Sequence, residues 1–492
     1  MNFRTHHGLL SSILLLHITG CAVGPDYVRP PVQELADYKE LNGWKTAQPR
    51  DTVLPGKWWE IFKDPVLNAL EEQVVAANQS IAEAEAQYRQ AQHLVQSSQS
   101  SFLPVATLTG TVSRFKAASG QSVAVSGVRN LFGQAVGVAW EPDLWGKVRR
   151  QIETNTDNAQ ASAATLHGLI LSSQATLAQS YFQLRVLDAQ KSLLDEMVKA
   201  FEKTVNITRN RYAVGVSAKS DVVQAETQLH SAQAQAVDLG VQRARLEHAI
   251  AVLMGKTPSE WSLAVAPLNV KTPDIPVSLP SQLLERRPDI AAAERKMAAA
   301  NAQIGVAKAA YFPSLNLAVS NGFQSSDTDT LFTMARRYWA LGPAGVALTI
   351  FDGGVKNANY QQAIAAHDAT VAAYRQTVLT GFQEVEDNLA ALRILADEKQ
   401  VQDQAITSAE QALALTINQY QAGTVSYLNV MISQAAALNN RQTGLQLENN
   451  QLVAAVQLVK ALGGGWQDNQ LPDEDQADGD RKWTDYLILP LE

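Results

Sequence analysis

The segment Tyr212-Ala213-Val214-Gly215-Val216-Ser217 returns about 208 residues later as Tyr420-Gln421-Ala422-Gly423-Thr424-Val425, with tyrosine and glycine in register. Each copy lies between Ala/Gln/Leu-rich runs without proline. A glycine there permits the left-handed conformation in which one helix ends and the next begins. The chain is therefore read as a tandem duplication, each half folding two helices around a tight turn, at 212–218 and at 420–426. Upstream of the first turn, helical patterning runs unbroken from Gly146 to Arg211, about 65 residues or on the order of 100 Å. No globular helix needs that length.

Composition agrees with long helices and narrow seams: 46% of the 492 residues are hydrophobic but only 7% aromatic. A net charge of -8 and a pI near 5.6 exclude the basic surface of a nucleic-acid-binding protein. Catalytic and metal chemistry find no support either. Gly255-Lys256-Thr257 resembles the end of a phosphate-binding loop, yet Ile250 stands where the earlier glycine is required. The eight histidines form no His-x-x-x-His pair, so no metal site, cofactor or enzyme activity is expected.

Residues 1–20 read as a secretory signal: Arg4 is followed by a short apolar core from Leu9 to Ile18, too short to span a bilayer. Ile18-Thr19-Gly20-Cys21 resembles a bacterial lipobox, with Cys21 as the lipid attachment site, and Ala22 after it implies outer-membrane sorting. The sole cysteine cannot build a disulfide framework. A proline-rich arm at 21–60 precedes the first repeat at 61–255. There, Asp64-Pro65 starts a helix to about Ser101, a β-hairpin occupies 104–142, and a long helix, the tip turn and a return helix follow. A proline-rich linker at 256–288 leads to the second repeat at 289–463, with its hairpin at 313–352. Leu144-Trp145-Gly146 is matched to Phe351-Asp352-Gly353, and the acidic tail at 464–492 is expected to be loosely ordered.

Alternation within the hairpins separates an apolar face from a polar one. Leu315, Leu317 and Val319 are assigned to lipid, Asn316 and Ser320 to a lumen. Four strands cannot close a membrane-spanning barrel, and open edges in lipid cost several kcal/mol per unpaired group. Three chains supply twelve strands. The residues themselves imply a membrane α+β oligomer, in which strands from several chains, four per chain, complete one β-barrel and the long helices pack into a second, helical cylinder.

The lipobox followed by Gly24-Pro25-Asp26-Tyr27, then Trp58-Trp59, Glu285-Arg286-Arg287-Pro288-Asp289-Ile290, Phe351-Asp352-Gly353-Gly354 and the paired Tyr-x-x-Gly turns resemble the TolC/OprM family of outer-membrane efflux ducts, in its lipoprotein (NodT-like) branch. The resemblance implies a homotrimeric channel-tunnel, a 12-strand β-barrel on a long α-helical barrel, that serves as a passive conduit in the outer membrane and extends into the periplasm. A periplasmic adaptor and an inner-membrane pump of the resistance-nodulation-division type are its implied partners. It further implies a periplasmic gate at Asp221, Tyr420, Tyr427 and Asn429, and adaptor docking at Gly215, Val216, Gly423 and Thr424. The gate arginine of the family is Val425 here, and uncharged Asn429 and Ile432 leave Asp221 as the main acidic contribution. On the residues alone, the alternative stays open that Asp221 only caps the helix that begins there. Two alternatives stay open, a duct for secreted protein and a poreless periplasmic coiled-coil scaffold.

Overall fold

The computed structural model describes residues 22–31, 38–41, 57–116, 128–273, 275, 286–473, 476 and 477. Its helices are α1 (Pro65–Ala77), α2 (Gln79–Ser100), α3 (Lys147–Ala213), α4 (Lys219–Leu253), α5 (Pro288–Ala309), α6 (Val355–Gln421) and α7 (Tyr427–Ala461). The strands are β1 (Val105–Lys116), β2 (Val128–Trp140), β3 (Ser314–Ser325), β4 (Arg337–Leu341) and β5 (Gly345–Ala347). The duplication is visible in the lengths: α3 and α6 have 67 residues each, α4 and α7 have 35 each. Both long helices start after a glycine with positive φ, Gly146 and Gly354. The repeat equivalence therefore runs Gly146 to Gly354, one residue later than the match of Gly146 with Gly353.

The helix expected from Pro65 to Ser101 is two helices. Asn78 takes an extended conformation, and its side chain accepts hydrogen bonds from the Ser80 and Ile81 amides while donating to the Leu253 carbonyl at 2.9 Å. Asparagine competes with helical backbone for hydrogen bonds, so it caps a new helix more readily than it continues an old one. Asp64 caps α1 in the same way through the Val66 and Leu67 amides, and its second oxygen accepts from the Tyr181 hydroxyl at 2.7 Å.

Around the midpoint of the long helices, Trp58, Phe62, Leu67, Phe182, Met254 and Tyr374 form the main apolar core. Glu71 is inside this region with no exposed surface, and neither carboxylate oxygen has a partner. The start of the linker is tied down beside it. Arg185 and Arg243 donate to the Ala264 and Leu263 carbonyls at 2.7 and 2.6 Å, and both guanidinium groups pair with Asp188. The described part of the acidic tail is also packed, which corrects the expectation of loose order at its start. Trp466 is buried against Ala164, Ala291 and Ala292, with Leu471 packed on the same cluster, so that one large indole covers several small alanine surfaces.

The strands form one antiparallel sheet in the order β1-β2-β3-β4, with β5 pairing the start of β3. Paired residues share a face. The register therefore places Leu108, Val136 and Asn321 side by side, Val138 beside Val319 and Leu341, and Trp140 beside Leu317. Apart from Gly110, Gln134, Asn321 and Arg337, this face is apolar below the row of Val112 and Phe132. The other face carries Thr107, Thr109 and Thr111 beside Gly137, Ala135 and Gly133, and Ser320 beyond Gly137. The second hairpin departs from the expected single returning strand. Pro343 interrupts it, since proline cannot donate to the ladder, and Leu348 and Ile350 lie outside the strand. Leu341 and Val346 both reach the apolar face although five positions apart, because the interruption inserts one extra residue in the manner of a β-bulge.

Candidate functional site

The two tip turns have the same geometry. The Val216 amide donates to the Arg211 carbonyl at 2.8 Å, and the Thr424 amide to the Gln419 carbonyl at 3.0 Å. Gly215 and Gly423 take φ of 79° and 77°. This six-to-one closure satisfies carbonyls that a helix end leaves open, and it needs a residue at positive φ. Gly215, Val216, Gly423 and Thr424 are all exposed at the apex, as are Tyr212, Val214 and Leu428.

Behind the apex, Tyr420 and Tyr427 are buried in an edge-to-face pair with ring centres 5.8 Å apart, packed with Val205, Ala225 and Val430. Burial, then the neighbouring Tyr420 and the charge of Asp221, push the Tyr427 hydroxyl up to about 12. A buried polar ladder leads away from the tip. The Tyr420 hydroxyl donates to Thr208 Oγ1 at 3.5 Å, Thr208 donates to the Thr204 carbonyl at 2.8 Å, and Gln434 donates to Thr204 Oγ1 at 3.2 Å.

The gate residues expected from sequence are only partly brought together. Tyr420 and Tyr427 are in contact, whereas Asn429 is exposed. Asp221 is third in α4, where its charge favours the positive end of the helix dipole. Ala218 occupies the cap position, so Asp221 is not the capping side chain. Among the described residues Asp221 makes no ion pair, and the arginine at the tip comes from elsewhere. Arg211, in the last turn of α3, donates from Nη1 to the carbonyls of Tyr420 and Gln421 at 3.1 and 3.2 Å, and its guanidinium stacks 4.9 Å above the Tyr420 ring. Sequence reasoning missed Arg211, Thr208 and Gln434. A basic residue in the last helical turn was the available signal for the first. The other two meet partners across more than two hundred residues and carry none.

Cys21 lies outside the described residues, but the chain next to it is held at the foot of the sheet. The Val23 amide donates to the Trp145 carbonyl at 3.1 Å, and Ala22 fills the space beside Gly146. The Trp145 ring stacks on Phe312 at 4.8 Å and donates to the Pro313 carbonyl at 2.7 Å, directly before β3. The Gly-Pro-Asp-Tyr motif then binds α3 and α5. Asp26 pairs with Arg150 at 2.6 Å, the Pro25 carbonyl accepts from Asn301, and the Tyr27 hydroxyl donates to Glu294 at 2.6 Å. Gly24, at φ of 117°, presses its backbone onto that of Gly305, leaving no room for a side chain at either position.

The family model for outer membrane efflux proteins matches residues 70–256 and 279–464, one match per repeat. The antibiotic efflux pump outer membrane protein ArpC of Pseudomonas putida is 30% identical over 95% of this chain and 99% of its own length. The toluene efflux pump outer membrane protein TtgC, also of Pseudomonas putida, is 30% identical over the same shares. Among solved structures, the outer-membrane channel OprN superposes with a TM-score of 0.85 at 28% identity, over 91% of this chain and all of that one. Duplicated long helices, two hairpins sharing one apolar face, and full-length similarity to these channels agree: the chain belongs to the outer membrane efflux protein family.

Proposed function

We propose that this chain is the outer-membrane exit duct of a tripartite efflux system, passively conducting small toxic molecules that a pump and adaptor deliver to it. The observation that carries the reading is the sheet. One face is mainly apolar across β1, β2, β3 and β4, while among the described residues both outer edges of the sheet are unpaired. A membrane barrel needs such a face toward lipid, and it needs those edges paired. Three copies pairing edge to edge close a twelve-strand barrel, and the long helices stack beneath it as a periplasmic tunnel. Relatives that are named for antibiotics and for toluene share this scaffold, which fits a wide conduit whose pump selects the cargo. The partners are a periplasmic adaptor, gripping the exposed apex at Gly215, Val216, Gly423 and Thr424, and an inner-membrane pump of the resistance-nodulation-division type. The gate is formed by Tyr420 and Tyr427, with Asp221 and Asn429 around the opening.

Purified protein reconstituted in planar bilayers is expected to form discrete channels, and expression in a strain lacking its own duct should restore resistance to toxic solvents. A soluble monomer without channel activity overturns the reading. The sheet makes a sharper test. Leu317→Arg places a charge on the lipid face, beside Trp140 near the foot of the sheet, and should cost up to about 1 kcal/mol per chain, in all three chains of the trimer at once. Ser320→Arg, on the other face, should assemble normally. Equal assembly of the two variants in outer-membrane fractions refutes the assignment of faces.

Cys21 carries the lipid in this reading, and the position of Ala22 beside Gly146 supports it by starting the mature chain at the membrane-proximal foot of the sheet. Mass spectrometry of the mature N-terminus should find an acylated cysteine. The Cys21→Ser protein should still form trimers, because closure of the barrel holds the strands in the membrane. An unmodified Cys21 contradicts the anchor.

A further inference from the structure

We infer that Arg211 is the clamp that holds the tip closed, acting on the backbone of the second repeat and not on a carboxylate. The inference rests on the duct reading and deepens it. α3 and α6 end side by side, and although turn amides satisfy most of their last carbonyls, including that of Tyr420 from Gly423 at 3.0 Å, each helix keeps the negative end of its dipole at the tip. Two such ends repel. A single guanidinium stands between them: Arg211 belongs to the last turn of α3, and both of its side-chain hydrogen bonds go to the last carbonyls of α6, those of Tyr420 and Gln421. Its plane covers the Tyr420 ring at 4.9 Å, so the same group that neutralises the helix ends also fixes the buried tyrosine pair. Among the described residues Arg211 makes no ion pair. Gly423 lies beside it in the turn, where a side chain would meet Nη2.

This clamp joins the two repeats of one chain. Moving the α6–α7 tip away from the α3–α4 tip, as a widening of the tunnel mouth requires, breaks both carbonyl bonds and unstacks the ring together. The neighbouring polar links between the repeats are weaker or farther from the apex. The Tyr420 hydroxyl reaches Thr208 at 3.5 Å, which is long for a hydroxyl hydrogen bond, and Gln434 meets Thr204 a turn deeper in the bundle. Arg211 therefore supplies the larger share of the polar hold at the apex. A lysine in its place keeps the charge but loses the planar fork and the stacking surface.

The test compares single-channel conductance of the full-length wild-type protein, Arg211→Gln, Arg211→Lys and Thr208→Val in planar bilayers, with helical melting followed in parallel. Arg211→Gln should shift the closed-to-open ratio by about tenfold, the scale of one lost charge-assisted hydrogen bond. Arg211→Lys should fall between glutamine and wild type, and Thr208→Val should stay near wild type. Melting should remain unchanged in all three, since the tip is remote from the midpoint core. An Arg211→Gln channel that gates like wild type overturns the clamp and leaves the duct standing. A parallel loss of assembly in Arg211→Gln and Arg211→Lys also overturns it, by making the residue structural. Absence of channels in every protein overturns the duct and the clamp together.

Discussion

Replacing Glu71 with leucine is expected to stabilise the protein by about 3 kcal/mol at pH 7, by an amount that grows with pH. The carboxyl group has no exposed surface and no hydrogen-bond partner, and burial raises it from its usual 4.5 to about 9. The folded chain therefore keeps the proton up to about pH 9, whereas the unfolded chain releases it above 4.5. Between those values the unfolded state binds fewer protons, so wild-type stability falls as pH rises, by roughly 1.4 kcal/mol per unit. Below the lower value, the penalty is absent. The gap in melting temperature between Glu71→Leu and wild type should thus be small at pH 5 and large at pH 8. Glu71→Gln should remove the pH dependence while retaining an unpartnered buried amide. Equal melting of Glu71→Leu and wild type at pH 8 would show that the site is hydrated in solution.

Gly463→Ala is expected to destabilise the chain by about 3 kcal/mol, combining backbone strain with a clash that no rotamer relieves. Gly463 closes α7 at φ of 91°, and a Cβ there would land on the carbonyl oxygen of Arg286, just before α5. Its counterpart in the first repeat, Gly255, closes α4 against the carbonyl of Ala77 at the end of α1. Each glycine lets the last helix of its repeat dock on the backbone that leads into an earlier one. Gly215 provides the control. Its φ of 79° is similar, but nothing lies within 4 Å of the added carbon, so Gly215→Ala should show only the strain, about 1 kcal/mol. Thermal melts in detergent that give the two alanine variants the same loss would exclude the close approach as the cause.

The sequence by itself determined whatever depends on neighbours a few positions apart. Tyr-x-x-Gly turns, the absence of proline over the long helices, Asp64-Pro65 and the alternation of Leu315, Leu317 and Val319 each act through local backbone conformation or a period of 3.6 or 2. Those signals suffice for two repeats, two hairpins and two tips, and hence for a duct. The break at Asn78 was local too, but it required choosing between a polar residue inside a helix and a cap. That choice depended on the Leu253 carbonyl, 175 residues away. The tertiary structure alone decided which side chains complete the sites. Arg211 meets Tyr420 and Gln421 across 209 and 210 residues, and Tyr27 meets Glu294 across 267. The unpartnered burial of Glu71 likewise exists only once α1 has packed. Sequence periodicity says which face of an element is apolar. It carries no record of which distant backbone ends at that face, because a hydrogen bond between two helix ends depends on how the helices are stacked and not on the pattern within either one.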